Sequence, residues 1–394
     1  MMLKFPTLRT SRPVLRSCVL VVACVGTLAG SAAAQSTLPD RYADSTFWRM
    51  MNEFSEPNGY FRSDNLLSNE TSFQWVVPAL QKMPRPDGVY LGVAPEQNFT
   101  FIAALRPKVA FIIDIRRGNL LGHLMYKALF ESSDNRVDFT FRLFGRPRPA
   151  GIPGSVGVEE LFARVAGTPL DTIFGLRTLK EIKDRLTKTH GFALDSADLN
   201  YIDYVYKTMS GYGPGLRYRM GGGGFGGGFG GGRTSMPNYA DLMTETDSTG
   251  TQRSYLANDE NYRVIRDMEL RNVIVPFTGD FAGAKALRAF GKYVRDNKAV
   301  VQAIYVSNVE QYLFQDIGDS NWRLYYENVA TLPTDSTTVF IRSRSQGGFD
   351  RQGRFRQQSP NSRQNELLCS VADHMKAFND GRISQYFEVF AYCR

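Results

Sequence analysis

The segment from Gly88 to Asn119, GVYLGVAPEQNFTFIAALRPKVAFIIDIRRGN, limits what this chain can fold into more than any other. It holds a short apolar run, a stretch with helical spacing and a second apolar run, which together spell a β-α-β unit. Gly88 to Ala94 has the length of a buried strand. At Ala94-Pro95-Glu96 it gives way to a helix, because Pro95 suits the first helical position and Glu96 suits the positive helix N-terminus. Phe99, Ile102, Ala103 and Leu105 give that helix an apolar face, and Pro107 ends it. Val109 to Ile115 is rich enough in Ile, Val and Phe to be a parallel strand covered on both sides.

Asp114 falls at the tip of the second strand, 22 positions after Gly92. An acid about 20 positions past a glycine turn is where Rossmann-like proteins hold a ribose by its hydroxyls. The alternative is a strand-end carboxylate paired with Arg116 or Arg117. Gly92 stands alone in GVAPEQN, without the GxGxxG spacing that lets a backbone approach a pyrophosphate, so a dinucleotide is not expected. S-adenosylmethionine carries no phosphate and needs less room.

The first 34 residues carry Lys4, Arg9, Arg12 and Arg16 and no acid, then an apolar run from Cys18 through Gly30, then Ala32-Ala33-Ala34 before Gln35. That order is a secretory signal with cleavage after Ala34, and it predicts an exported, periplasmic or secreted protein. Val21-Val22-Ala23-Cys24 resembles a lipobox, but the apolar run before Cys24 is short, and a lipoprotein is the lesser expectation. No later apolar stretch reaches the roughly 18 residues that span a bilayer. The four basic residues of the signal make up half of the formal charge of +8. Most of the rest is local, since residues 341–365 hold six arginines against Asp350 alone, and a field for specific nucleic-acid binding is not indicated. Beyond the signal only Cys369 and Cys393 remain, which in an oxidising compartment read as one disulfide tying a C-terminal helix to the last strand.

The rest of the chain predicts an α/β fold, a Rossmann-like doubly wound and mostly parallel sheet with a helical insertion and a flexible Gly-rich loop. Residues 35–87 form a helical cap, with helices from Ser45 to Phe54 and Ser72 to Lys82, and 88–145 the first half of the sheet domain. Residues 146–255 are an insertion opened by FGRPRPAGIPG, with helices at Val158–Val165, Thr178–Thr187 and Ser196–Ser210 and the glycine run 221–232. Asp198 and Asp203 on the last of these helices read as a solvated face. EF-hand loops and His-containing ligand clusters are lacking, so no metal is expected. The second half of the sheet domain spans 256–345, with a helix from Asp259 to Leu270, a strand from Val273 to Phe277, a helix from Ala284 to Arg295 and a strand from Val300 to Val306. Residues 346–365 read as a disordered basic segment, followed by a helix from Glu366 to Phe378 and a strand from Tyr386 to Tyr392.

Four positions at predicted strand ends, Gly92, Asp114, Asp280 and Asn308, should line one crevice, because loops at the carboxyl ends of parallel strands share an edge. Asp280 sits in the loop TGDFAG and Glu310 in SNVE; both are candidate catalytic acids, although Asp280 also suits a helix cap and Ser307 with Glu310 suits a capping box. Glu96 and Asn308 join Gly92 and Asp114 as candidate ligand-binding residues. His123, on the helical stripe after Asp114, has no acid or cysteine at a ligand spacing and reads as a packed histidine. Serine and zinc hydrolases are disfavoured by the lack of G-x-S-x-G and HExxH.

The blocks GVYLGVAPEQNFTFIAALRPKVAFIIDIRRGNLL, LFGRPRPAG, VPFTGDFAGAKALRAFGKY and YVSNVEQYLF resemble an uncharacterised family of exported bacterial proteins that look like class I S-adenosylmethionine-dependent methyltransferases. Over most of residues 45–345 the resemblance implies a seven-stranded-type sheet, with Gly92 near the cofactor's amino-acid end, Asp114 on its ribose and Asp280 near the catalytic loop. TGDF stands where amino-group methyltransferases have an Asn/Asp-Pro-Pro-aromatic motif. Two expectations follow: an exported methyltransferase-like protein binding S-adenosylmethionine, or a catalytically silent binding protein using the same cleft for another small polar ligand.

Overall fold

Six strands form the central sheet of the computed structural model, which describes residues 1–3, 36–83, 85–218, 236–315, 320–344, 347–349, 355–357 and 365–393. In chain order the strands are β1 (Gly88–Val93), β2 (Val109–Asp114), β3 (Ile274–Thr278), β4 (Val300–Ser307), β5 (Val339–Arg344), β6 (Gly347–Phe349), β7 (Phe355–Gln357) and β8 (Asn365–Ser370). The sheet order is β3-β2-β1-β4-β5-β8, with β6 and β7 paired separately. The first five run parallel and β8 closes the edge antiparallel to β5. β1, β2 and β3 are buried at every position, as strands covered by helices on both faces must be.

This is an α/β, Rossmann-like, mostly parallel sheet, and the β-α-β grammar of 88–119 is its centre. The helix Gln97–Leu105 joins β1 to β2, and Arg117–Glu131 carries the chain away from β2. The Asp259–Leu270 helix leads into β3, and Ala286–Asp296 connects β3 to β4. Because β4 lies on the other side of β1 from β2, the chain reverses its direction of growth there, and a crevice opens between the β1 and β4 loops.

Several expected elements differ. Among the described residues the sheet has six strands, where the resemblance implied a seven-stranded type. The stretch read as a helix from Glu366 begins as β8, and the helix is Val371–Asn379; pairing with β5 overrides the helical spacing of 366–370. Tyr386–Tyr392 is a 3-10 helix instead of a strand, and among the described residues only Cys393 after it bridges to the edge strand β8, at Cys369. Within 346–365, β6 and β7 pair as a short ribbon, where disorder was expected. The signal segment from residue 4 onward and the glycine run 221–232 lie outside the described residues. Among the described residues no helix is long and apolar enough to cross a membrane. Among the described residues the insertion's α-helices are Val158–Gly167, Thr172–Asp184, Ser196–Tyr212 and Tyr239–Thr244. Asp198 is no solvated acid: it is buried and accepts from Nε and Nη2 of Arg117 at 2.7 and 2.6 Å, tying the insertion to the helix after β2.

The disulfide Cys369–Cys393 is formed. It joins the end of β8 to the segment after the terminal 3-10 helix, one element away from the helix expected to carry it.

Candidate functional site

The crevice lies at the carboxyl ends of β1, β2, β3 and β4 and holds about 140 Å³, less than the roughly 300–1,000 Å³ of drug-sized ligand pockets. Val93 and Ala94 line it from β1, Asp114 and Ile115 from β2, Asp280 and Phe281 from β3, and Ser307 and Asn308 from β4. Phe61, Val309, Tyr312 and Leu313 supply apolar walls, and Asn65 a further polar group. Three of the four residues expected to share a crevice, Asp114, Asp280 and Asn308, do share it.

Gly92 does not. It lies inside β1, and a side chain there would strike Oδ1 of Asn98 at 1.9 Å and the Tyr90 hydroxyl at 2.5 Å. The space is taken by Asn98, whose Nδ2 reaches the carbonyls of Val93, Ala94 and Pro95 at 2.8, 3.1 and 2.7 Å, while its Oδ1 accepts from Tyr90. The tight turn that a glycine was expected to make is made two residues later by Ala94, at φ 68°. A left-handed alanine costs about 1 kcal/mol, and Asn98 and His123, whose Nε2 donates to the Ala94 carbonyl at 3.0 Å, hold the turn. His123 is buried and neutral, its pKa pushed down to about 4 by desolvation. It is a packed histidine that holds the crevice wall.

Asp114 is buried except for its face on the crevice. Its Oδ1 accepts from the backbone N–H of Arg116 at 2.9 Å and faces Nε of Arg116 at 3.3 Å, whereas Oδ2 has only a long 3.4 Å contact with Nη2. Burial raises its pKa, and the neighbouring Arg116 opposes the rise. The ion-pair alternative is therefore present, in a loose form that leaves acceptor capacity on Oδ2. Asp280 accepts from the Ala282 N–H at 2.9 Å, a local turn. It does not cap the following helix. That role belongs to Glu56, which accepts from the backbone of Asp280, Lys285 and Ala286 at 2.8, 2.7 and 3.1 Å; its separation of more than 220 positions hid it from sequence reading.

Glu96 and Glu310 leave the site. Glu96 is fully buried, accepts from the Ser68 N–H at 3.3 Å, and does not line the crevice. Burial pushes its carboxyl up to about 8, and the charge of Glu70 adds to the rise. Glu310 points into the core, where Nε and Nη2 of Arg342 each donate to it at 2.7 Å and Tyr326 adds a third bond at 2.7 Å. The expected S-x-x-E capping box is consequently not formed, and Asn308 stands at the N-cap without a side-chain capping bond. Ser307 instead donates its hydroxyl to Glu70, at φ 51° in the left-handed region. Of the six described non-glycine residues with positive φ, Asn65, Ala94 and Ser307 all line this crevice, so its rim concentrates backbone strain. Among the described residues no group of three or more His, Cys, Asp or Glu is placed to hold a metal ion.

Fold and crevice together define a Rossmann-like α/β protein with its site at the topological switch point. Within that class the chain belongs to the family described as a domain of unknown function, DUF7790, which matches residues 66–146 and 228–380. The matched segments carry every sheet strand and the crevice loops after them; residues 147–227, with the insertion helices, fall between them. No curated protein matches the chain.

Proposed function

We propose that this chain is an exported, methyltransferase-like Rossmann-fold protein whose crevice binds a small nucleoside-type ligand, S-adenosylmethionine being the one to test first. The observation that carries the reading is the convergence of Asp114, Asp280 and Asn308 from three strand ends on one crevice, with Oδ2 of Asp114 only loosely engaged. Two ribose hydroxyls donating to a carboxylate are charge-assisted bonds of the kind that position ligands at this edge of α/β sheets. Apolar and aromatic walls such as Phe61 and Phe281 suit a base. The ribose side thus fits. The place the resemblance gives to the amino-acid end does not, because Asn98 fills the space beside Gly92.

S-adenosylmethionine would supply an electrophilic methyl group. What this chain offers beside it is Asp280 on the crevice wall, while Glu310 is withheld by Arg342. That withdrawal favours a second reading, a silent binding protein that keeps the crevice for another polar ligand.

Calorimetric titration with S-adenosylmethionine and S-adenosylhomocysteine separates the readings. Binding should be measurable in the wild type and fall about ten- to a hundredfold in Asp114→Ala, the loss of one charge-assisted pair at roughly 1.5–3 kcal/mol. No heat with either ligand removes the methyltransferase reading and leaves the silent binder. Export is tested by mass spectrometry of the protein from its host: a chain beginning at Gln35 is expected, and a lipid-modified Cys24 overturns it.

A further inference from the structure

Ser307 stands at the end of a central parallel strand, on the turn into the helix Val309–Leu313, with a left-handed backbone at φ 51° and its residue on the crevice wall. A serine on a strained strand-to-helix turn at this edge of an α/β sheet is the geometry that exposes a hydroxyl as a nucleophile. A nucleophilic serine also needs a base within hydrogen-bond reach and a third group that orients the base. Both are present. Ser307 Oγ donates to Oε1 of Glu70, a buried carboxylate, and Oε2 of Glu70 accepts from the Tyr305 hydroxyl at 2.6 Å. Tyr305 is held in turn by Nε2 of Gln97 at 2.7 Å, and the Glu70 backbone N–H by Ser68 Oγ at 3.1 Å.

We propose that Ser307 and Glu70 form a nucleophile-base dyad that gives the crevice an acyl-transfer activity, ester hydrolysis, toward small apolar esters. Ser307 Oγ attacks the ester carbonyl carbon, its proton passes to Oε1 of Glu70, and the carbonyl π pair moves onto oxygen. Collapse of that adduct breaks the bond to the alkoxy oxygen, which takes the proton from Glu70 and leaves as the alcohol. Water then attacks the acyl-serine, gives a proton to Glu70, and the acid departs as Ser307 regains its hydrogen. The net change is ester plus water to acid plus alcohol, with no other reactant. The apolar walls, Val309 and Leu313 among them, set the preference for an apolar acyl chain. The G-x-S-x-G pattern is absent because Tyr305 and Val309 occupy the flanking positions, and Tyr305 has a task there.

The dyad does not depend on which ligand the crevice otherwise takes, and its test uses no nucleoside. The full chain is incubated with an alkyl fluorophosphonate, whose phosphorus bonds to a reactive serine with loss of fluoride, and the adduct is located by peptide mass spectrometry. Wild type should carry one adduct on the peptide containing Ser307, and Ser307→Ala should carry none there while melting as a folded protein. Glu70→Gln should be labelled about 10²- to 10⁴-fold more slowly, the usual contribution of a positioned base. Should Glu70→Gln fail to fold, Tyr305→Phe, which frees one oxygen of the carboxylate, should show slowed labelling in its place. An unlabelled Ser307 in folded wild type, or labelling of either base variant at the wild-type rate, overturns the proposal.

Discussion

Ser307 and Glu310 stand one helical turn apart and live in different chemistry. Ser307 is at the crevice, in a strained conformation, its hydroxyl donating to Glu70. Glu310 is in the core, locked two-pronged to Arg342, with the His374 ring 3.4 Å from the same guanidinium and pushed down to about 2 first by burial and then by that charge. The first region is loosely satisfied, solvent-facing and strained; the second is closed around the two-pronged Glu310–Arg342 pair. The contrast separates polar residues available to a ligand from polar residues consumed by the fold. Sequence position alone does not separate them.

The sharpest way to break this comparison is to remove Arg342. Arg342→Met strands Glu310 as a buried, uncompensated charge and should cost about 3–5 kcal/mol in urea unfolding, whereas Glu310→Leu combined with Arg342→Met should recover most of the loss. A cost below 1 kcal/mol for the single variant would show that Glu310 is free to act elsewhere.

Glu96 provides the next test, through pH. Its folded pKa of about 8 lies above the unfolded value near 4.5, so between those limits the unfolded state has released a proton that the folded state keeps. Its contribution is complete below about pH 4.5 and is lost as pH rises through 8. Stability should therefore fall by roughly 2–5 kcal/mol between pH 5 and pH 8 on account of this group. Glu96→Gln should flatten that slope, and a slope unchanged by the substitution would place the charge elsewhere.

Reducing Cys369–Cys393 opens a closure of 24 residues over the closed region and should cost about 3 kcal/mol, read as a lower melting temperature in dithiothreitol. The crevice should keep its fluorophosphonate reactivity under those conditions if the two regions are independent. The smallest expected effect is at the crevice turn itself. Ala94→Gly relieves a left-handed alanine and should stabilise the fold by about 0.5–1 kcal/mol, and any loss of ligand binding that accompanies it would identify the strain as functional.

Much of the fold was legible because local periodicity carries it. The β-α-β unit, the Asp259–Leu270 helix, β3, β4 and most insertion helices appear within two residues of where apolar spacing places them at one end or both. The exceptions, β8 and the terminal 3-10 helix, sit where a long-range partner decides: 366–370 has helical spacing, yet β5 offers an open edge to pair with. At the site, Asp114, Asp280 and Asn308 were legible as strand-end residues of parallel strands, while Ser307 was mistaken for a cap and Glu56, Glu70 and Asn98 gave no signal.

By itself the sequence determined that the chain builds a parallel sheet with its loops on one edge, since strand and helix periods are set by neighbours a few positions apart. Only the tertiary structure decided which polar side chains remain available there. Ser307 meets Glu70 across 237 positions and Asp280 meets Glu56 across 224, so their partners are fixed by packing that no local pattern encodes. A buried polar group takes the nearest partner the fold provides. Arg342 was that partner for Glu310, and Asn98 filled the space beside Gly92, with the left-handed turn made at Ala94.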